Sequence, residues 1–265
     1  MTTDTTPQKT QTPAQQGAQS HLITNKAAQR ERIAAKRKKV LDWLAVEGFS
    51  TVAMLAKVLE VQHNAAYKTC KAMEAEGLVA PDAVQWLGHT VNLVTLTAHG
   101  AMMHAEPGQD FDYHQRGKVA ASTVAHAMDI QTARLAAIRA GWTDWQSDHR
   151  NQIKASKDDR WLKVPDALAK TPEGELVAIE IERTSKTTKR YQDIIGAYLQ
   201  LISKGMFSRV VYVSPTPGLA ARLQALFARL DSFTAVNKQG QIERFPLTDS
   251  RRSYFSFQDL EGWPK

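Results

Sequence analysis

The sequence predicts an α/β fold in two parts: a small helical unit closed by a β-hairpin, then a larger mixed sheet with helices around it. Three observations carry this expectation. Apolar residues recur at helical spacing from Val40 to Met73 and then give way to two strand-like runs that end near Leu96. Residues 104–117, HAEPGQDFDYHQRG, interrupt the pattern with one proline, two glycines and mixed charge, as linkers do. From Lys118 onward the segments read helix, strand, strand, strand, helix, strand, helix, then strands. A chain of 265 residues is long enough for two separate cores.

Residues 1–25 are rich in Thr and Gln and nearly free of large apolar side chains, so a disordered tail is expected. Residues 25–39, NKAAQRERIAAKRKK, hold seven basic residues against the single acid Glu31. This stretch is either a solvated helix face or an extension that touches phosphates, with Arg37 and Lys38 as contacts. Val40, Leu41, Leu44 and Ala45 continue it at helical spacing, and Gly48 stops the helix. Ser50-Thr51 offers a cap for a second helix through Met54, Leu55, Val58 and Leu59. A third helix from about Gln62 to Glu76 puts Ala66, Cys70 and Met73 on one face and Asn64, Tyr67, Lys68 and Lys71 on the other. Two strands joined by a turn follow. Three helices and then a hairpin, over residues 26–103, is the order of a winged helix-turn-helix. Such a unit would present Tyr67, Lys68 and Lys71 to double-stranded DNA, unless the fold serves protein contacts instead.

The second part, residues 118–265, opens with a helix that Gly141 ends at about Ala140. Trp142 and Trp145 read as core residues of a short strand. Thr184 or Ser185 offers a cap for a helix whose apolar positions are Tyr191, Ile194, Ile195, Tyr198, Leu199 and Ile202. Residues 207–215 read as a buried strand. Pro217 to Leu230 reads as a helix with Leu219, Leu223, Leu226, Phe227 and Leu230 inward. QIERFPLT and RRSYFSFQDL read as late strands.

Between these elements lies KVPDALAKTPEGELVAIEIE, two short apolar runs interrupted by Asp166, Glu180 and Glu182. A three-residue loop Pro172-Glu173-Gly174, with Gly174 in the left-handed position, pairs Thr171 with Glu175. Counting back, Asp166 falls opposite Glu180 and Val164 opposite Glu182. Opposed residues share a face, and alternation puts Glu180 and Glu182 on that face while Val177, Ile179 and Ile181 point to a core. Clustered carboxylates repel, and one of them must take up a proton, pair with a cation or bind a metal. The candidates for pairing are Lys170, Lys186 and Arg183. Hard oxygen donors suit Mg2+ or Mn2+, which activate water against a phosphodiester.

Composition narrows the classes. No apolar run reaches the roughly 18 residues of a membrane helix, so no membrane partner is expected. The N-terminus lacks the apolar stretch of a secretory signal. The single Cys70 excludes an internal disulfide and a cysteine zinc cluster, and a cytoplasmic location is expected. The net charge of +7 favours a polyanionic partner. No Walker A run, GxSxG elbow, HxH cluster or paired tyrosines occur.

The Pro165-Asp166 pair, the acidic strand after it and the flanking helices resemble the PD-(D/E)xK, or restriction-endonuclease-like, superfamily. The longer pattern AHAMDIQTARLAAIRAGWTDWQSDHR, then VPDA, then AIEIERTSKTTKRY, is similar to the replication-relaxation group, across roughly residues 40–215. That group joins a winged helix to a restriction-endonuclease-like mixed-sheet domain and includes MOBC-type mobilisation relaxases. The resemblance implies a metal-dependent nick at a plasmid transfer origin, with accessory mobilisation or coupling proteins as partners. It implies Asp166, Glu180 and Glu182 as catalytic metal ligands for Mg2+ or Mn2+. Glu182 occupies the place where many superfamily members carry a catalytic lysine, a departure shared by the acidic ExE or ExD form. Lys189 is then the candidate for the positive role, with Lys186 second. His126 and Asp129, one turn apart, match the group's pattern, though a satisfied core histidine remains the competing reading. Asp148 is a possible accessory ligand, and Tyr191 is either a core residue or a nucleophile. A non-catalytic replication or transcription regulator with a degenerate nuclease fold is the alternative, and a double-strand nuclease a third.

Overall fold

Helix α1 (Lys26–Glu47) starts where the Asn25 side chain accepts from the Ala27 amide at 2.8 Å, and it stops at Gly48, whose φ of 77° a side chain would oppose. The structure, a computed structural model, describes residues 25–86, 88–105, 117, 119–147, 161–237 and 239–264. The expected tail, apart from Asn25, most of the expected linker, and Asp148 lie outside the described residues.

After a two-residue strand, β1 (Phe49–Ser50), Thr51 rather than Ser50 caps α2 (Val52–Leu59), its hydroxyl accepting from the Met54 amide at 3.1 Å. In α3 (His63–Ala75) the buried residues are Ala66, Cys70 and Met73, the face that the spacing predicts. β2 (Val79–Trp86) and β3 (His89–Leu96) form the hairpin, and β1 adds to the far side of β3. α4 (Ala98–His104) closes the unit. It fits only because residue 100 is glycine: a Cβ there would stand 1.9 Å from the Leu78 carbonyl oxygen. Val40, Trp43, Leu44, Leu55, Met73 and Leu96 form the core of this part.

The second part is a five-stranded sheet in the order β10-β7-β6-β5-β4. Its strands are β4 (Thr143–Ser147), β5 (Ala167–Lys170), β6 (Leu176–Ile181), β7 (Arg209–Ser214) and β10 (Phe255–Asp259). β4, β5 and β6 are antiparallel neighbours, whereas β6, β7 and β10 run parallel. Three helices cover the faces: α5 (Ala121–Arg139) on one, and α6 (Thr188–Ser203) and α7 (Leu219–Arg229) on the other. A separate hairpin, β8 (Ser232–Val236) with β9 (Ile242–Pro246), lies against α6 where Gly196 leaves room for the Thr234 carbonyl. The sequence pattern had shown β9 but not β8. The segment RRSYFSFQDL, expected as one strand, divides into α8 (Asp249–Arg252) and β10, followed by a 3-10 turn at Leu260–Gly262. Among the described residues, no helix is long and apolar enough to cross a membrane.

The β5–β6 turn takes the expected form. Gly174 has a φ of 86°, the Thr171 amide donates to the Glu175 carbonyl at 2.9 Å, and the ladder pairs Lys170 with Leu176 back to Ala167 with Ile179. One expectation needs correction. β6 has no open face. Val177, Ile179 and Ile181 meet Ile130, Ala133 and Ala137 of α5, while Ala178 on the acid-bearing side packs with Tyr191, Ile195 and Tyr198 of α6. Parallel strands covered on both faces are apolar on both, which is why the acids end up inside.

Helix α5 also joins the two parts. The Gln131 side chain donates to the Phe49 carbonyl at 2.7 Å and accepts from Ser50 Oγ at 2.7 Å and Trp43 Nε1 at 3.2 Å. One turn on, Arg134 donates to Glu47 Oε1 at 2.7 Å and lies 4.2 Å from the centre of the Trp43 ring.

Candidate functional site

The carboxyl end of β6 gathers the acids, because strand alternation and the hairpin register bring them there. Asp166 precedes β5 by one residue, so the ladder places it beside Glu180. Its Oδ2 accepts from the Ile181 amide at 2.7 Å, and Oδ1 lies 3.2 Å from His126 Nε2 on α5. Asp166 therefore ties the start of β5 to the end of β6 and to the helix above. The neighbouring carboxylate holds His126 above the ordinary histidine value, against the opposing effect of burial.

Glu180 is 6% exposed. Lys163 Nζ donates to its Oε1 at 2.7 Å, and the Tyr198 hydroxyl donates to the same oxygen. Burial, then repulsion from Asp166, pushes Glu180 up to about 7 in spite of Lys163 and Tyr198. Near neutral pH the Glu180 carboxyl is thus poised between its protonated and ionised forms, and a bound cation would displace its proton. Tyr198 and Tyr212, both buried beside this carboxyl, are held well above the usual phenol range, chiefly by burial. Tyr212 lies directly across from Glu180 on β7, and among the described residues its hydroxyl has no hydrogen-bond partner.

Glu182 is 4% exposed and faces a different set of groups. Lys186 Nζ pairs with its Oε2, and the Tyr191 hydroxyl donates to that oxygen at 3.3 Å. Tyr191 also accepts from the Lys186 amide at 3.1 Å, and burial pushes it up to about 12. It is a core residue that keeps one polar handle on the site. Asp129, on α5, pairs with Arg183 just beyond β6, while burial holds its carboxyl above the usual range.

Each acid thus has a basic side chain beside it: His126 with Asp166, Lys163 with Glu180, Lys186 with Glu182, Arg183 with Asp129. Of the three pairing candidates named from sequence, Lys186 and Arg183 act here, whereas Lys170 pairs with Asp144 at 2.8 Å. Lys189 stands exposed on the first turn of α6. Lys163 and Tyr198 escaped sequence reasoning. Lys163 lies three residues before Asp166 in KVPD, and Tyr198 looked like one more member of an apolar stripe. The signal was available, since a buried tyrosine hydroxyl needs a partner and the nearest acid strand supplies one.

The donors decide what the site can hold. Mg2+ is commonly bound by one or two carboxylates, its other positions taken by water and phosphate oxygens. Asp166 and Glu180 are such a pair, close enough to repel. Glu182 is engaged by Lys186 and Tyr191. Among the described residues, no group of three or more His, Cys, Asp or Glu side chains is placed to hold a metal ion.

In the N-terminal unit, Tyr67 and Lys68 are exposed on α3, and Lys71 pairs with Glu74 at 2.9 Å. Arg37 pairs with Glu76 at 2.5 Å, and Lys38 with Asp42 at 2.9 Å. Residues 41–215 match the model of a family described as replication-relaxation, about two thirds of the chain. No curated protein and no solved structure matches.

Proposed function

The chain belongs to the replication-relaxation family, and from that premise we propose that it is a metal-dependent DNA endonuclease that nicks one strand at a plasmid transfer origin. The observation that carries this reading is the Asp166–Glu180 pair at the end of β6, with Glu180 raised to about 7 and Lys163 in contact with it. A carboxyl with a displaced proton affinity, beside a second acid in a partly buried site, is the kind of group that active sites use. The N-terminal unit serves as a winged helix-turn-helix, with Tyr67, Lys68 and Lys71 of α3 toward the major groove.

In this reading Asp166 and Glu180 hold Mg2+ or Mn2+, which supplies Lewis acidity at the scissile phosphate and a nucleophilic water. The chain's own residues do the rest. The Ile181 amide and His126 fix the Asp166 carboxylate, and Tyr198 fixes that of Glu180. Lys163 fills the positive role that Glu182 leaves vacant, and it can turn from Glu180 toward a phosphate oxygen. Lys186 and Tyr191 keep Glu182 out of the donor set.

Purified protein, Mn2+ and a supercoiled plasmid carrying the protein's own origin are expected to yield open circles that chelator prevents. Linear product would mean a double-strand nuclease. A second reading, DNA binding without cleavage, draws on the basic side chain beside every acid. Under it, gel shifts appear but neither Mg2+ nor Mn2+ yields a nick.

A further inference from the structure

Helix α1 begins fourteen residues before the first of its buried side chains, Val40. At 1.5 Å per residue this free length is about 21 Å. No residue before Val40 joins a hydrophobic cluster of the described residues. The segment is helical for local reasons: the Asn25 cap, four alanines, and long unbranched Lys, Arg, Gln and Glu side chains. It has no apolar stripe. Its only large apolar residue, Ile33, is half exposed.

Five of the seven basic residues lie in the last eight positions of the segment, Arg32 to Lys39. Arg37 and Lys38 are compensated by Glu76 and Asp42. Arg32, Lys36 and Lys39 have no acid within ion-pair reach among the described residues. Their spacing of four and three residues puts them on one side of the helix, over about 10 Å. Such a row suits a regularly charged polyanion. A protein partner would find a single aliphatic side chain, Ile33, to hold, and a membrane surface would find no apolar face.

We infer that residues 26–39 form a rigid arm whose Arg32, Lys36 and Lys39 lie along the phosphate backbone of duplex DNA, outside the stretch that α3 reads. This rests on the DNA-binding part of the proposed function but not on cleavage. The arm adds affinity without sequence preference and pairs a non-specific grip with a specific one.

The test is the salt dependence of binding to duplex DNA of unrelated sequence, compared between wild type and R32Q/K36Q/K39Q. Glutamine keeps helix propensity, and circular dichroism checks that the helix persists. Each phosphate contact contributes about 0.9 to the slope of log affinity against log salt. The triple variant is expected to lose roughly 2 to 3 from that slope and to bind more than tenfold more weakly at 0.1 M salt. K38Q, already paired, is expected to change the slope by less than about 0.5. An unchanged slope and affinity in the triple variant overturns the arm while leaving DNA binding intact. Absence of binding by the wild type overturns both. A loss confined to one DNA sequence also overturns it, because a backbone contact is indifferent to sequence.

Discussion

The two parts of this chain differ in how they bury charge: the first spaces its buried acids apart, and the second gathers them. Val40, Trp43, Leu44, Leu55, Met73 and Leu96 pack the N-terminal unit with apolar groups; its acids Asp42, Glu74 and Glu76 stay at the surface, and its buried Glu47 and Asp82 are met by Arg134 and by the Gly117 amide. In the mixed sheet, Glu180 and Glu182 sit among Tyr191, Tyr198 and Tyr212, in the midst of an aromatic cluster. Burying a carboxylate is costly, and well-packed apolar residues would stabilise the same position better. The N-terminal unit is therefore built for persistence. The sheet gives up stability at one end, the usual signature of a working site.

The sharpest break between the two regions is expected at Asp166. Asp166→Asn keeps an acceptor for the Ile181 amide but removes the negative charge. Nicking is expected to fall by roughly a hundredfold or more, since several kcal/mol of charge stabilisation are lost. The urea midpoint is expected to move little. Leu44→Ala is the reverse case. Leu44 is fully buried, and its truncation is expected to cost about 2–5 kcal/mol in denaturant titration. Activity per folded molecule is expected to survive. Should Asp166→Asn prove the more destabilising of the two, the contrast between the regions fails.

A smaller effect, set by pH, comes next. Glu180 in the fold sits near 7 against an ordinary 4.5, so the folded state binds its proton more tightly than the unfolded state does. Stability from this group is full below 4.5 and is lost as pH rises through about 7. His126, also raised, acts in the same direction, because its charged form is the favoured one and is lost with rising pH. The metal-free protein is expected to lose up to about 3 kcal/mol between pH 4.5 and 7.5 on account of Glu180. Glu180→Gln is expected to flatten that profile, and Mg2+ to offset the loss in the wild type. A profile equally steep in both proteins would show that Glu180 is not strained.

How much of this was legible depended on distance along the chain. The register of β5 on β6 was readable, because a three-residue loop with Gly174 leaves few choices. So were the inner face of α3 and the stop at Gly48, which depend on local spacing and backbone freedom. The order of three helices and a hairpin was readable too. The burial of both faces of β6 was not, because it needs α6 and α7 to fold back over strands that precede them. The cation beside Glu180 was missed for a related reason. Lys163 is seventeen residues from its partner, and only the paired strands bring the two together. The unbroken α1 was half readable: its basic run was plain, while its helical state rests on a cap and on alanines that also suit a coil.

The smallest predicted effect compares one kind of cap in both regions. Thr51 and Thr187 each accept a backbone amide three residues on, at 3.1 and 3.3 Å. Thr51→Ala is expected to cost about 1 kcal/mol of stability, the usual worth of such a cap, with nicking unchanged. Thr187→Ala is expected to cost no more, since its hydrogen bond is longer and more exposed. Its consequence lies elsewhere. α6 starts one residue after Thr187, and Lys186 and Tyr191, which flank that start, both hold Glu182. Loosening the first turn is expected to weaken the hold of Lys186 and Tyr191 on Glu182. Nicking and its divalent-metal dependence are therefore expected to shift severalfold, with a change in stability no larger than at Thr51. If the two caps behave alike in both assays, the start of α6 has no hold on the acid site.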